Sequence, residues 1–217
     1  MFTKKEILPI AVIVFIVLLT MFVYTSLPTE IPSHWNAQGE IDAYSSRTFT
    51  VLFFPAIIIG VYLLMMFIPN IDPLKRNYPS FKVPYYWFKT AFVVFFSALY
   101  LFTIWTAMGE NLNINYFIIP AFALLFIVIG LFLPKVEKNY FVGIKTPWTL
   151  ASEEVWKRTH NLGGRLFILV GIITLLGFFF FEQAIFIFLI SIIAAVIILF
   201  VYSYLIYKRV EGFNNNK

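Results

Sequence analysis

The chain contains no cysteine. That excludes disulfide staples, thiol catalysis, thiolate metal sites and a lipoprotein anchor. Charge is also scarce: 12% of the 217 residues are Asp, Glu, Lys or Arg, and 2 are His. None of these lies near the middle of an apolar run. Ion-coupled pumps and transporters usually carry ionisable groups at such positions, so proton-coupled transport is disfavoured. Passage of a small neutral solute or lipid stays open as the alternative to a binding role. The loop carboxylates and hydroxyls show no triad-like arrangement, so no catalytic residue is assigned and the chain is not read as an enzyme. Gly143-Ile-Lys-Thr looks like the end of a phosphate-binding loop but lacks the first glycine and the preceding strand. His34 and His160 fall in separate polar intervals, and neither belongs to a His-Glu-x-x-His zinc motif. His34 has Glu30, Glu40 and Asp42 nearby in sequence, but hydrogen bonding within an ordered loop is the simpler reading. No metal ligand and no cofactor is assigned.

What remains is hydrocarbon. The chain is 61% hydrophobic and 20% aromatic, with 27 phenylalanines and a mean hydropathy of +0.87. Apolar runs lie at about 8–27, 48–69, 88–108, 115–134, 165–181 and 184–207. Most approach the roughly 20 residues a helix needs to cross about 30 Å of hydrocarbon. The first run is long for a signal peptide and no small-x-small cleavage site follows it, so it is read as a retained span. The expected fold is an all-α, polytopic membrane helical bundle of six spans. Tyr85, Tyr86 and Trp87 form an aromatic girdle, as do Tyr202, Tyr204 and Tyr207. The tail beyond 207 reads as disordered.

Six spans put both termini on one side. Of the 16 Lys and Arg residues, all but Arg47 fall on the termini or in the second and fourth loops, with Lys89 and Arg165 counted beside their loops. This asymmetry predicts cytoplasmic termini, a cytoplasmic 135–164 interval and an outward-facing 28–47 interval.

Those two polar intervals carry the local signals. In the first, Pro28 and Pro32 stiffen the entry and Asn36 to Gly39 reads as a tight turn. In the second, Thr146-Pro147 is a helix start, because proline at the first helical position loses no hydrogen bond. Thr149 is a second candidate cap, and Glu153 and Glu154 follow where negative charge suits the helix dipole. Glu153–Lys157 and Glu154–Arg158 are i,i+4 pairs in the favourable order. Trp156 and His160 share a face, near Trp148 and Ala151. Gly163-Gly164 reads as a terminator. The expectation is a short interfacial amphipathic helix over about 149–162, separate from the span that follows.

Two stretches match a known pattern. Gly143-Ile-Lys-Thr-Pro-Trp-Thr-Leu, then Glu154-Val-Trp, Thr159-His160-Asn161 and Gly164, resembles the signature of the SdpI family of bacterial membrane immunity proteins. Leu27-Pro28-x-x-Ile31-Pro32-x-His34-Trp35-Asn36-x-x-Gly39-x-x-Asp42-x-Tyr44 resembles the uncharacterised domain that often precedes it. The resemblance implies a multi-pass protein of the bacterial cell membrane that resists a secreted peptide toxin. It further implies a toxin sensor that draws a small winged-helix repressor to the membrane, with no direct contact to nucleic acid. It divides the chain into a two-span unit, 1–70, and a four-span unit, 71–217. Its ligand- or partner-binding candidates are His34, Trp35, Asn36, Gly39, Asp42 and Tyr44 in the outer interval. In the inner one they are Gly143, Lys145, Thr146, Pro147, Trp148, Thr149, Trp156, His160, Asn161 and Gly164. Lys145 stands where the family usually has arginine; charge is kept but bidentate hydrogen bonding is lost.

Overall fold

The structure, a computed structural model, describes residues 6–109, 113–180 and 183–212. Lys4, Lys5, Glu110, Glu182 and the last five residues of the expected disordered tail lie outside them. Among the described residues there are 6 helices long and apolar enough to cross a membrane. They are α1 (Ile7–Val23), α2 (Arg47–Ile71), α3 (Lys82–Ala107), α4 (Asn115–Phe132), α6 (Glu153–Gly177) and α7 (Ala184–Val210), with a short α5 at Pro147–Ala151 before α6. The protein is thus a multi-pass membrane helical bundle. Five of the six expected spans match a helix closely. The fifth helix begins twelve residues before the expected start of its span, at Glu153 rather than 165.

That difference is a correction to the expected 149–162 element. The helix breaks at Ser152, whose backbone is extended and whose side chain accepts from the Val155 amide. From there α6 runs without interruption through Gly163-Gly164 into the apolar stretch. The two glycines end nothing, because their missing side chains admit neighbouring chain instead. A Cβ on Gly164 would lie 2.7 Å from the Gly130 carbonyl oxygen and 2.6 Å from Pro134 Cγ. A Cβ on Gly171 would lie 2.6 Å from the Ala123 carbonyl oxygen. Gly130, Gly164 and Gly171 therefore let α4 and α6 meet backbone to backbone, the close approach that small residues permit within membranes.

The buried apolar residues form three clusters, two of which define packed groups of helices. α1, α2 and α3 share a core that includes Ile16, Ile58, Tyr62, Val93 and Tyr100. The other is built by α4, α6 and α7 around Val170, Phe188 and Ala195, with Phe122 and Phe126 against it. Aromatic pairs join the groups along α3 and α4: Phe88 stacks on Phe132 at 4.6 Å, Phe95 meets Phe122 at 5.3 Å, and Phe102 stacks on Phe117 at 5.0 Å.

Lys89, expected beside its loop, is inside α3 and buried. Its Nζ donates to both oxygens of Glu6 at 2.8 Å, and Tyr62 Oη donates to Glu6 Oε2 at 2.9 Å. A buried cation is tolerable only with such a partner, since desolvation of a lone charge is costly.

Candidate functional site

At one end of the bundle the 28–47 interval folds into a β-hairpin. Strands β1 (Glu30–Trp35) and β2 (Ile41–Ser46) pair antiparallel. Gly39 has φ +82° and donates to the Asn36 carbonyl at 2.9 Å, so the expected tight turn is present and uses a conformation that glycine adopts readily. The Asn36 carboxamide closes the turn through the Glu40 amide and carboxylate, at 3.0 and 3.1 Å. The tip then docks on the segment that opens α4. Asn113 Nδ2 donates to the Gln38 carbonyl at 2.6 Å and Asn115 Nδ2 to the Ala37 carbonyl at 3.3 Å. Underneath, Ile31 and Leu27 are buried in the core of the first group. Arg47 is held down by donating to the carbonyls of Tyr24 and Leu27.

This geometry sorts the six candidates of the hairpin. Trp35 is half-buried, with its ring 6.3 Å from Phe102. Asn36 and Gly39 build the turn. His34, Asp42 and Tyr44 are exposed. His34 Nδ1 and Asp42 Oδ1 lie 2.6 Å apart across the hairpin. Of the carboxylates near His34 in sequence only Asp42 is given as its partner, and among the described residues no group of three or more His, Asp or Glu is placed to hold a metal.

At the opposite end the inner candidates form a tightly bonded joint between the loop after α4, α5, α6 and α7. Thr146 caps α5 with Pro147 in its first turn, and Thr146 and Thr149 satisfy each other's backbone amides in a reciprocal capping box. Thr146 Oγ1 also donates to Ser203 Oγ of α7 at 3.1 Å. Trp148 stands against Phe200 and Tyr204, again on α7. Trp156 and His160 do not share its surroundings. They stack on each other at 4.0 Å and are fully buried on the α4 side. Trp156 Nε1 donates to the Val136 carbonyl at 2.7 Å. His160 Nε2 accepts from the Ile144 amide at 3.0 Å, and Nδ1 lies 2.8 Å from the Trp156 carbonyl. Both ring nitrogens are therefore committed, in the tautomer protonated at Nδ1. Gly143, φ +116°, passes so close to His160 that a Cβ would collide with its ring.

Lys145 and Asn161 are exposed, and Lys145 Nζ donates to the Phe141 carbonyl at 2.9 Å. A single backbone acceptor suits a lysine, so the missing guanidinium fork leaves this contact intact. Beyond Lys145, the exposed residues of the joint are mainly on the outer face of α6: Glu153, Glu154, Lys157, Arg158, Asn161 and Arg165. Of the two expected ion pairs, Glu154–Arg158 forms at 2.6 Å, whereas Glu153 and Lys157 are not paired.

A second cluster escaped the sequence reading. Asp72, buried at the end of α2, accepts from the Leu74 amide at 2.7 Å and from the Tyr140 amide and Tyr78 Oη at 3.0 Å. Asn139, fully buried, accepts from the amides of Phe141 and Val142 and donates to the carbonyls of Glu137 and Val142. Asn77 Nδ2 reaches the Lys138 carbonyl at 2.7 Å. Together they lock the 71–81 segment onto the loop after α4. The partners that join the two segments lie 61 to 68 residues apart, so no local pattern announces them.

Comparison with known proteins meets the same stretches. The family described as the SdpI/YfhL protein family matches residues 135–203. A domain of unknown function, DUF1648, matches residues 11–59, which hold most of α1, the hairpin and the first half of α2. Over 210 residues the chain is 28% identical to a protein of Bacillus subtilis (strain 168) named Immunity protein SdpI, covering 96% of this chain and 99% of that one. No solved structure matches.

Proposed function

We propose, from the match of residues 135–203 to the SdpI/YfhL family and the likeness to an immunity protein, that the chain is a member of that family and an integral membrane immunity protein protecting its cell against a secreted peptide toxin. The observation that carries this reading is that the likeness to an immunity protein runs nearly end to end. It takes in the hairpin as well as the bonded joint, not one shared module. The distribution of Lys and Arg supports a hairpin that faces outward, where a secreted peptide first arrives. On that surface His34, Asp42 and Tyr44 are free to touch a ligand, whereas Trp35, Asn36 and Gly39 are engaged in holding the hairpin.

The test is survival of a toxin-sensitive strain expressing the protein, read beside membrane abundance by immunoblot. His34→Ala, Asp42→Ala and Tyr44→Ala should each lower survival at unchanged abundance, while Trp35→Ala should lower abundance. Wild-type survival in all three exposed variants, and in the triple variant, would show that the hairpin is not the receptor surface.

The finer part of the proposal is signalling. A message to a cytosolic winged-helix repressor would leave through the exposed face of Lys145, Lys157, Arg158 and Asn161. Exposed charges contribute little to stability. The double change Lys157→Ala with Arg158→Ala should therefore leave abundance and survival intact and weaken co-purification of the repressor. Undiminished co-purification would rule this face out.

A further inference from the structure

The joint between the two helix groups leaves a groove of about 800 Å³ along α3 and α4. It opens sideways, to where lipid lies, because Val83, Trp87, Val94, Leu124 and Leu131 in its walls are exposed. Lys135 is the sole charged residue among those that line it. That lysine ends the fourth span, Asn115–Lys135. The stacked Phe88 and Phe132 put the first turns of α3 level with the end of α4. Trp87 therefore sits near the same bilayer edge as Lys135, at the height where tryptophan favours headgroups. Lys82 opens α3 one residue before the groove-lining Val83 and is exposed. From Lys135 back to Leu124 is about 16 Å of helix. That is roughly half of a 30 Å hydrocarbon core, the depth of one leaflet.

We propose that the half of the groove next to Lys135 binds an anionic phospholipid of the adjoining leaflet. Its phosphate meets Lys135, and an acyl chain lies between Trp87–Val94 of α3 and Leu124–Leu131 of α4. Charge complementarity and depth favour this occupant over a second copy of the chain or an inserted peptide, neither of which needs a cation at one leaflet edge. Basic sites between membrane helices on one face are a recurrent way of holding acidic headgroups. The assignment depends neither on the immunity reading nor on which face is cytoplasmic.

The experiment is native mass spectrometry of the full chain in detergent, titrated with phosphatidylglycerol or phosphatidylcholine. Wild type should hold one phosphatidylglycerol selectively. Lys135→Ala, an exposed position that the fold does not need, should weaken it about fivefold, the effect of one lysine at an anionic surface. Lys135→Arg should retain it, and Lys157→Ala should leave it unchanged. Ala91→Phe fills the groove without touching the charge, and should weaken binding of the same lipid. Equal affinity for the two lipids in wild type would overturn the proposal. So would undiminished phosphatidylglycerol binding in Lys135→Ala or Ala91→Phe. A dimer or a co-purified peptide that excludes lipid would assign the groove to another occupant and would overturn it as well.

Discussion

At the scale of single residues, the inner joint rests on groups whose partners are remote in sequence. The indole of Trp156 donates to a carbonyl twenty positions earlier. Trp156→Phe keeps an aromatic ring, though a smaller one, and leaves that buried acceptor unpaired, which costs about 1–3 kcal/mol. The denaturation midpoint in detergent should fall, whereas Lys145→Arg should leave it unchanged. Gly143→Ala should be worse than either, because it adds both a left-handed backbone penalty and a clash with His160. Its measure is the fraction of folded protein in the membrane. The Thr146-Pro147 start was legible because a cap is written in adjacent letters. The helix start at Ser152, four residues past Trp148, lay just as close but was masked by Thr149, whose side chain belongs to the capping box of α5 instead. The place of His160 was not legible at all. A histidine four residues from a tryptophan shows a shared face, but nothing in that spacing says that a backbone amide at Ile144 will fill its second nitrogen.

At the scale of elements, length and hydropathy sufficed for five spans, since a membrane helix must satisfy all its backbone groups internally. The fifth was misread for a physical reason. Glycine pairs stop helices in water, where they cost about 1 kcal/mol each, but within a bilayer the same pair is a contact surface. Two changes separate these roles. Gly164→Val or Gly171→Val should push α4 from α6 against immovable backbone, giving aggregated or degraded protein on size exclusion. Gly60→Ala should leave the profile as it is, because a Cβ there meets nothing within 4 Å. For the hairpin the sequence pattern yields only a turn behind two stiffening prolines. Pro32 lies inside β1 all the same, because in a sheet of two strands each has a free edge, where a missing amide costs no ladder bond.

At the scale of the whole molecule, the proposed orientation is open to direct labelling, because a chain without cysteine accepts single probes. Gln38→Cys at the hairpin tip and Ser80→Cys in the loop before α3 are both exposed. A membrane-impermeant thiol reagent added to intact cells should label the first and spare the second. The reverse pattern would invert the assignment of receptor and signalling faces together. The two polar intervals were visible in the sequence as intervals. That one reaches over the start of α4, and that the other is welded through Asp72 and Asn139 to a loop sixty residues earlier, are tertiary facts with no local trace.

The ion pair of Glu6 with Lys89 carries a consequence for synthesis. At about 5–20 residues per second, some 4–17 s separate the emergence of the two side chains from the ribosome. Throughout that interval the Glu6 carboxylate lacks Lys89, and the hairpin tip in turn waits 75 residues for Asn113. The first two spans are thus made as a waiting half, completed only by chain that follows. Nascent chains arrested before Lys89 should be recognised and degraded, while those arrested beyond Asn115 should persist.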